Sequence, residues 1–318
     1  MAIDTKQGER PGSSAAEQMP PSFARERCAP VADAEITAAV RSLGLAGHGP
    51  GSAAELLQVL SNQSLDRNAL VACISAHPGI AATVVRVANS AYYGRSGQVT
   101  SIDQSAQLLG TSTLRAIAAA ACFDKMSSTV SGAGTFDWIG FRRHSLACAC
   151  AAQSIARRAA PQLASQMFLL GLLHDLGMLV QWRLRPRQVA FADRQGLAAG
   201  MPAIADDQAE IRMLGATRAH CTSVLLRHWR LPEPMCHAVG LADQDIEKLA
   251  AGGLPGTMLA LADLLACTSG FPLRYGRQRD PAQQEALAAG SGLEPGVVKE
   301  ITEALADEVE WLSGAMVG

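Results

Sequence analysis

His174 and Asp175 stand side by side in the run FLLGLLHDLGMLV (168–180), where nearly every neighbour is apolar. A carboxylate taken out of water without a partner is strongly destabilising, and an imidazole beside it needs hydrogen-bond partners as well. A divalent metal would satisfy both groups at once. Adjacent residues of a helix project about 100° apart, so the pair can flank one point at a helix–helix junction. Further donors must then come from other helices. His144, in FRRHSLACACAAQSIA (141–156), heads a face of Ala and Cys small enough for close packing. Asp263, in MLALADLLACTSG (258–270), is a single carboxylate within an apolar helix. Together His144, His174, Asp175 and Asp263 would offer two imidazoles and two carboxylates. Such N/O donors suit Mn, Fe, Zn or Mg, and geometry rather than affinity selects among them. Plainer roles stay open for each residue alone: a His-Asp dipeptide is common, His144 could be a hydrogen-bonded core histidine, and Asp263 could accept backbone N–H groups.

The elements that must carry these residues are helices. Of the 318 residues, 48% are hydrophobic, 18% charged and only 4% aromatic. Ala and Leu dominate, and both lose little rotamer freedom in a helix. The fold class read from this is all-α, a multi-helix bundle. Residues 1–33 are rich in Pro, Gly, Ser and charge and are expected to be a disordered tail. A helix follows near 34–45. Ser52 with Glu55 forms a capping box, Asp66 caps the next run, and Pro78 opens another. Ser101 caps a helix that Gly110 ends. The Ser/Gly-rich stretch at 127–134 marks a boundary. Longer helices are expected beyond it, about 136–159, 164–182, 187–197, 203–214, 217–230, 233–242 and 257–269, with a tail helix after Pro295. The chain thus divides into a tail (1–33), a first helical part (34–134), a second (135–270) and a C-terminal helical extension (271–318).

Charge and cysteine usage narrow the function. A net charge of −2 argues against a general nucleic-acid binder, which needs excess Lys and Arg to release counterions. None of the eight cysteines forms a CxxC pair, and most sit in Ala-rich apolar runs. They are expected to be reduced core thiols of a cytoplasmic protein. The N-terminal segment has no apolar signal region. The most apolar run, Met167 to Trp182, holds His174 and Asp175 near its middle and is shorter than the ~20 residues of a bilayer span. It reads as a buried core helix, so no membrane association is expected.

Three segments carry a resemblance to a known family. LLQVLSNQSLDRNALVACISAHPGIAATVVRVANSAYYG (56–94), SIDQSAQLLGTSTLRAIA (101–118) and the helices around His144 and His174-Asp175 resemble the HDOD family, a regulatory branch of the HD phosphohydrolases. The resemblance spans roughly 50–270. It implies an HD-domain-like helical core over 135–270, with His144, His174, Asp175 and Asp263 as the metal-type positions. Members often serve as output modules in bacterial signalling. By that implication the chain is a non-catalytic regulatory protein acting through signalling protein partners, and the alternative is a metal-dependent phosphohydrolase acting on a phosphomonoester or cyclic nucleotide. Two departures favour the first reading. Hydrolytic relatives carry extra histidines between the HD pair and the last Asp; here the first of those positions aligns with Arg218, with His220 two places off on another face, and the later pair falls near Ala242-Asp243. Gly177-Met178 stands where active relatives often carry a lysine. Arg218 could bring its cation into the room a metal would take. Input signal and oligomeric state are not encoded in any motif recognised in the chain.

Other conspicuous residues have structural readings. Trp229 before Leu231-Pro232 suits a packing anchor. Cys236 and His237 lack a third orienting group. His77 suits a helix start, Tyr92-Tyr93-Gly94 a turn, and Arg142-Arg143 solvated charge.

Overall fold

Helices are the only regular elements among the described residues of this computed structural model, which are 28–43, 52–90, 98–130, 136–199, 207–242, 244–251, 253–273 and 280–317. The first set comprises α1 (Asp33–Ser42), α2 (Ala53–Ser61), α3 (Arg67–Ser75), α4 (Pro78–Ala88) and α5 (Ile102–Val130). Local sequence sets their starts. The Ser52 and Asp66 side chains accept the N–H groups of Glu55 and Ala69, and Pro78 occupies the first turn of α4, where its missing N–H costs nothing. His77 makes no cap bond to α4. Its Nδ1 instead lies 3.0 Å from the Cys73 carbonyl oxygen, closing the end of α3. α5 is kinked at Gly110, whose φ is 75°, so the expected helix end is a bend within a longer element. Buried Arg115 donates from its guanidinium to the carbonyl oxygens of Leu60, Asn62 and Leu65 at 3.1, 2.8 and 3.0 Å, which ties the α2–α3 connection to α5.

The second set comprises α6 (Trp138–Ala159), α7 (Ala164–Leu173), α8 (Gly177–Leu184), α9 (Pro186–Ala199), α10 (Asp207–Leu214), α11 (Arg218–His228), α12 (Glu233–Leu241), α13 (Ile246–Ala251) and α14 (Leu254–Thr268), followed by α15 (Gln284–Gly290) and α16 (Pro295–Val317). α6 is the hub and packs on α7, α14 and α16. Its buried stretch Ala147-Cys148-Ala149-Cys150-Ala151-Ala152 is small on every side, so neighbours approach from several directions. α7 comes closest. A Cβ at Gly171 would lie 2.5 Å from the Cys148 carbonyl oxygen, a contact that only glycine avoids. α16 lays Val298, Ile301, Leu305, Val309 and Leu312, at three- and four-residue spacing and all buried, into the fold, as an amphipathic helix must. One continuous core runs from Val31 to Leu312.

One expectation changes here. Residues 28–32, placed by composition in the disordered tail, lie against the α10–α11 junction: the Cys28 and Val31 N–H groups donate to the Arg212 and Gly215 carbonyls at 2.9 and 3.0 Å. Most of that tail, the boundary loop beyond 130 and the Tyr92-Tyr93-Gly94 turn lie outside the described residues. The segment Pro161–Leu184 is long and apolar enough by composition to cross a membrane, and 83% of its most apolar window is buried inside the fold.

Candidate metal centre

The single helix expected over 164–182 is tightened at its middle. His174, Asp175 and Leu176 form a turn between α7 and α8, with φ of −59° at His174 and −56° at Leu176. The hydrogen bonds shorten to the three-residue pattern, from Leu176 N–H to Leu173, Met178 N–H to Asp175 and Leu179 N–H to Leu176,. The cause is Thr222 on α11. Its Oγ1 lies 2.8 Å from the Gly177 nitrogen, taking the N–H that would continue the α-helix, and 2.8 Å from the His174 carbonyl oxygen, to which the hydroxyl can donate. A side chain inserted in the ladder is a standard origin of such a break. Thr222 reaches this far because α11 crosses at Gly177, where a Cβ would meet the Arg218 carbonyl oxygen at 2.0 Å.

This turn aims His174 and Asp175 at α6 and α14. His144 Nε2 lies 3.3 Å from Asp175 Oδ2 and 3.3 Å from Asp263 Oδ1. His174 Nε2 lies 3.2 Å from Asp175 Oδ2 and 4.0 Å from Asp263 Oδ1. Both imidazoles are held from behind: His144 Nδ1 is 2.8 Å from the Phe271 carbonyl oxygen and His174 Nδ1 is 2.8 Å from that of Gly171. A carbonyl accepts only, so each Nδ1 carries hydrogen and each Nε2 faces the centre, the tautomer and orientation a metal ligand needs. His144 is fully buried, Asp175 is 1% exposed and Asp263 only 7%. His174 Nε2 and both Asp175 carboxylate oxygens are buried without an aligned hydrogen bond. Native proteins rarely leave such atoms unsatisfied, so the residues fit a bound divalent ion.

Arg218 shapes the charge balance. Its Nε lies 3.1 Å from Asp175 Oδ1, in ionic contact, and the side chain is buried. Burial opposes ionisation of Asp175, yet Arg218, His174 and His144 hold its carboxyl well below the usual range. Asp263 is likewise pulled down against its burial, to about 2, first by the hydrogen bond from His144. Burial alone would lower both histidines. For His144 the Cys148 sulfur with Asp175 and Asp263, and for His174 Asp175 with Cys148, outweigh it and raise both well above the ordinary imidazole value. The carboxylates thus favour positive charge at the two Nε2 atoms, which a bound cation would supply in place of protons.

All four residues singled out from the sequence share this junction. Asp175 nevertheless leans to Arg218, and the donor atoms that lie mutually within 4.8 Å belong to His144, Cys148, His174 and Asp263. The sequence presents Cys148 as a core thiol. Its signal was its position one turn beyond His144, since residues four apart share a helix face. Cys267, four residues beyond Asp263, places its sulfur 3.7 Å from Asp263 Oδ1. His220 is turned away, with Nε2 2.9 Å from Asp33 Oδ1 at the surface. Trp229 is buried as a packing anchor, and Cys236 is buried while His237 is exposed. Arg142 pairs with Asp124 and Arg143 with Glu310, and Arg143 also stacks over the Phe271 ring at 5.4 Å. Arg143 and its partner are solvent-exposed, as the sequence suggests, while Arg142 and Asp124 are half-buried. A cavity of about 240 Å³ is lined by Arg143 and Leu172 among others and by none of the four donor residues.

The HDOD domain model matches residues 48–244. Among solved structures, the chain is similar to an HDOD domain protein of unknown function from Geobacter sulfurreducens, with a TM-score of 0.68 and 20% identity over 90% of this chain and 99% of that one. It is also similar to a protein from Shewanella amazonensis SB2B provisionally named a phosphohydrolase (TM-score 0.65, 22% identity, 87% of this chain and 97% of that one). A third, from Marinobacter aquaeolei VT8, is provisionally named a signal transduction protein (TM-score 0.65, 20% identity, 90% of this chain and 66% of that one). At these identities the likeness is one of fold. No curated protein matches the sequence.

Proposed function

The chain belongs to the HDOD domain family, and from that premise we propose that it is a cytoplasmic regulatory protein of signal transduction that works through protein partners and turns over no substrate of its own. The observation that carries this reading is the closure of the His/Asp centre. A phosphoester would have to reach a metal held by side chains that are nearly or wholly buried. Arg218, from the helix where hydrolytic relatives place another histidine, engages Asp175 instead. A closed donor set is the mark of structural rather than catalytic metal sites. Eight cysteines with no disulfide fit the cytoplasm.

A second reading, a metal-dependent phosphohydrolase, draws on the unsatisfied His174 Nε2 and Asp175 oxygens. A divalent ion held by His144, His174, Asp175 and Asp263 supplies, when bound, a polarised phosphoryl oxygen and an acidified water. Elemental analysis combined with a broad phosphomonoester and cyclic-nucleotide panel separates the two. Metal-loaded protein without turnover is the expected result. Turnover that disappears in His174→Ala or Asp175→Ala establishes the hydrolase and ends the regulatory-only reading.

A further inference from the structure

Accepting that the buried centre holds a divalent ion, we propose that Cys148 is one of its ligands, so that the site is His144–Cys148–His174–Asp263 and selects a thiophilic ion of the zinc class over magnesium. The four donor atoms lie mutually within 4.8 Å. A four-coordinate site with bonds of about 2.0–2.3 Å has ligand-to-ligand edges of roughly 3.3–3.8 Å. The observed separations from His144 Nε2 are 3.4 Å to Cys148 Sγ and 3.3 Å to Asp263 Oδ1, and His174 Nε2 stands 4.0 Å from Asp263 Oδ1. With every separation within 4.8 Å, the set closes on an ion by contraction of about 1 Å at most,.

Asp175, the residue the His-Asp dipeptide would nominate, is not in this mutually close set: its Oδ2 lies 3.3 and 3.2 Å from the His144 and His174 Nε2 atoms, while its Oδ1 lies 3.1 Å from Arg218 Nε. An arginine cannot be deprotonated in a protein, so this pairing persists at every working pH and leaves Asp175 as a charge partner for both imidazoles. Cys148 is fully buried and comes from the same helical face as His144, one turn on. Thiolate and imidazole together suit zinc and its neighbours and are poor donors for magnesium, which takes oxygen. On binding, the Cys148 thiol gives up its proton to solvent and the sulfur forms the bond to the ion.

Cobalt(II) is the probe, since sulfur coordination gives it a thiolate charge-transfer band and tetrahedral coordination gives intense visible bands. The full-length chain, stripped of metal and titrated with Co²⁺, is expected to show both at one ion per chain. Zn²⁺ is expected to abolish them, and Mg²⁺ in large excess to leave them intact. The charge-transfer band must survive in Cys267→Ser and vanish in Cys148→Ser while Co²⁺ still binds. Cys267 is only partly buried, so Cys267→Ser together with the wild type carries the assignment even if Cys148→Ser fails to fold. Stoichiometric Co²⁺ without a thiolate band overturns the ligand assignment and leaves an oxygen–nitrogen metal centre. Loss of the band in Cys267→Ser also overturns it. Failure to retain any Co²⁺ or Zn²⁺ overturns both the assignment and the metal premise beneath it.

Discussion

Replacing Gly177 by alanine adds one methyl group at the point where α8 and α11 touch backbone to backbone. That carbon would lie 2.0 Å from the Arg218 carbonyl oxygen and 2.8 Å from both the nitrogen and Oγ1 of Thr222. An ordinary carbon–oxygen contact needs more than 3 Å, so α11 must retreat by about 1 Å, and main chain cannot rotate aside as a side chain can. Overpacking of this kind costs about 1–3 kcal/mol. The retreat also pulls Thr222 Oγ1 from the Gly177 N–H, leaving a buried donor unsatisfied at about 1–3 kcal/mol. The helix-propensity gain of alanine returns ~1 kcal/mol at most. The net expectation is a loss of about 3 kcal/mol, or roughly 6 °C in apparent midpoint at ~2 °C per kcal/mol for a chain of this size. Gly240→Ala is the control on the other face of α11: its added carbon meets only Ser223, at 3.5 and 3.7 Å, so it should be neutral or stabilising by about 0.5 kcal/mol. Differential scanning calorimetry and urea titration of both variants read the difference. Equal effects would refute the claim that close backbone approach at Gly177 sets the position of α11 and of Arg218.

Arg218→Met leaves the Asp175 carboxylate buried beside no guanidinium and is expected to destabilise by about 3–5 kcal/mol; the double variant Arg218→Met/Asp175→Asn should recover part of that loss, and a simple sum of the single effects would show the two residues are not coupled. Metal-free protein should weaken in acid. Asp263 ionises at about 2 in the fold against ~3.9 unfolded, so the unfolded chain binds more protons between these values and stability drops as pH falls through that window, by on the order of 2 kcal/mol. Asp175 adds in the same direction. Urea midpoints measured in chelator at a few pH values should fall less steeply for Asp263→Asn than for wild type; parallel curves refute the assignment. Arg230 holds φ of 57° after α11, where it is the one non-glycine residue with positive φ among those described. Arg230→Gly should therefore raise stability by about 1 kcal/mol, and a lowered thermal midpoint would refute that strain.

Much of this architecture could be read before any coordinates. Ser52, Asp66 and Pro78 announce their helices through local chemistry that acts within one turn, and isolated polar groups at His144, His174-Asp175 and Asp263 announce a shared partner because burial would otherwise be too costly. What escaped reading depends on relations between distant segments. The helix break at His174 is made by Thr222, 48 residues away, and no periodicity in the apolar run records it. Cys148 looks like any other small residue on α6, since its closeness to His174 and Asp263 depends on how α7 and α14 dock on that helix. Residues 28–32 fall with the Pro-, Gly-, Ser- and charge-rich segment that precedes them, and their contact with the α10–α11 junction is formed by backbone groups that composition does not describe.

The bond from His144 Nδ1 to the Phe271 carbonyl joins residues 127 positions apart. Closing so long a loop carries an entropic penalty that only accumulated packing can overcome. The imidazole therefore acquires its fixed orientation with, or after, the docking of α14 on α6, and a nascent chain cannot assemble the centre until synthesis has passed Phe271. Ion capture at this place would report that the chain from α6 through Phe271 has folded.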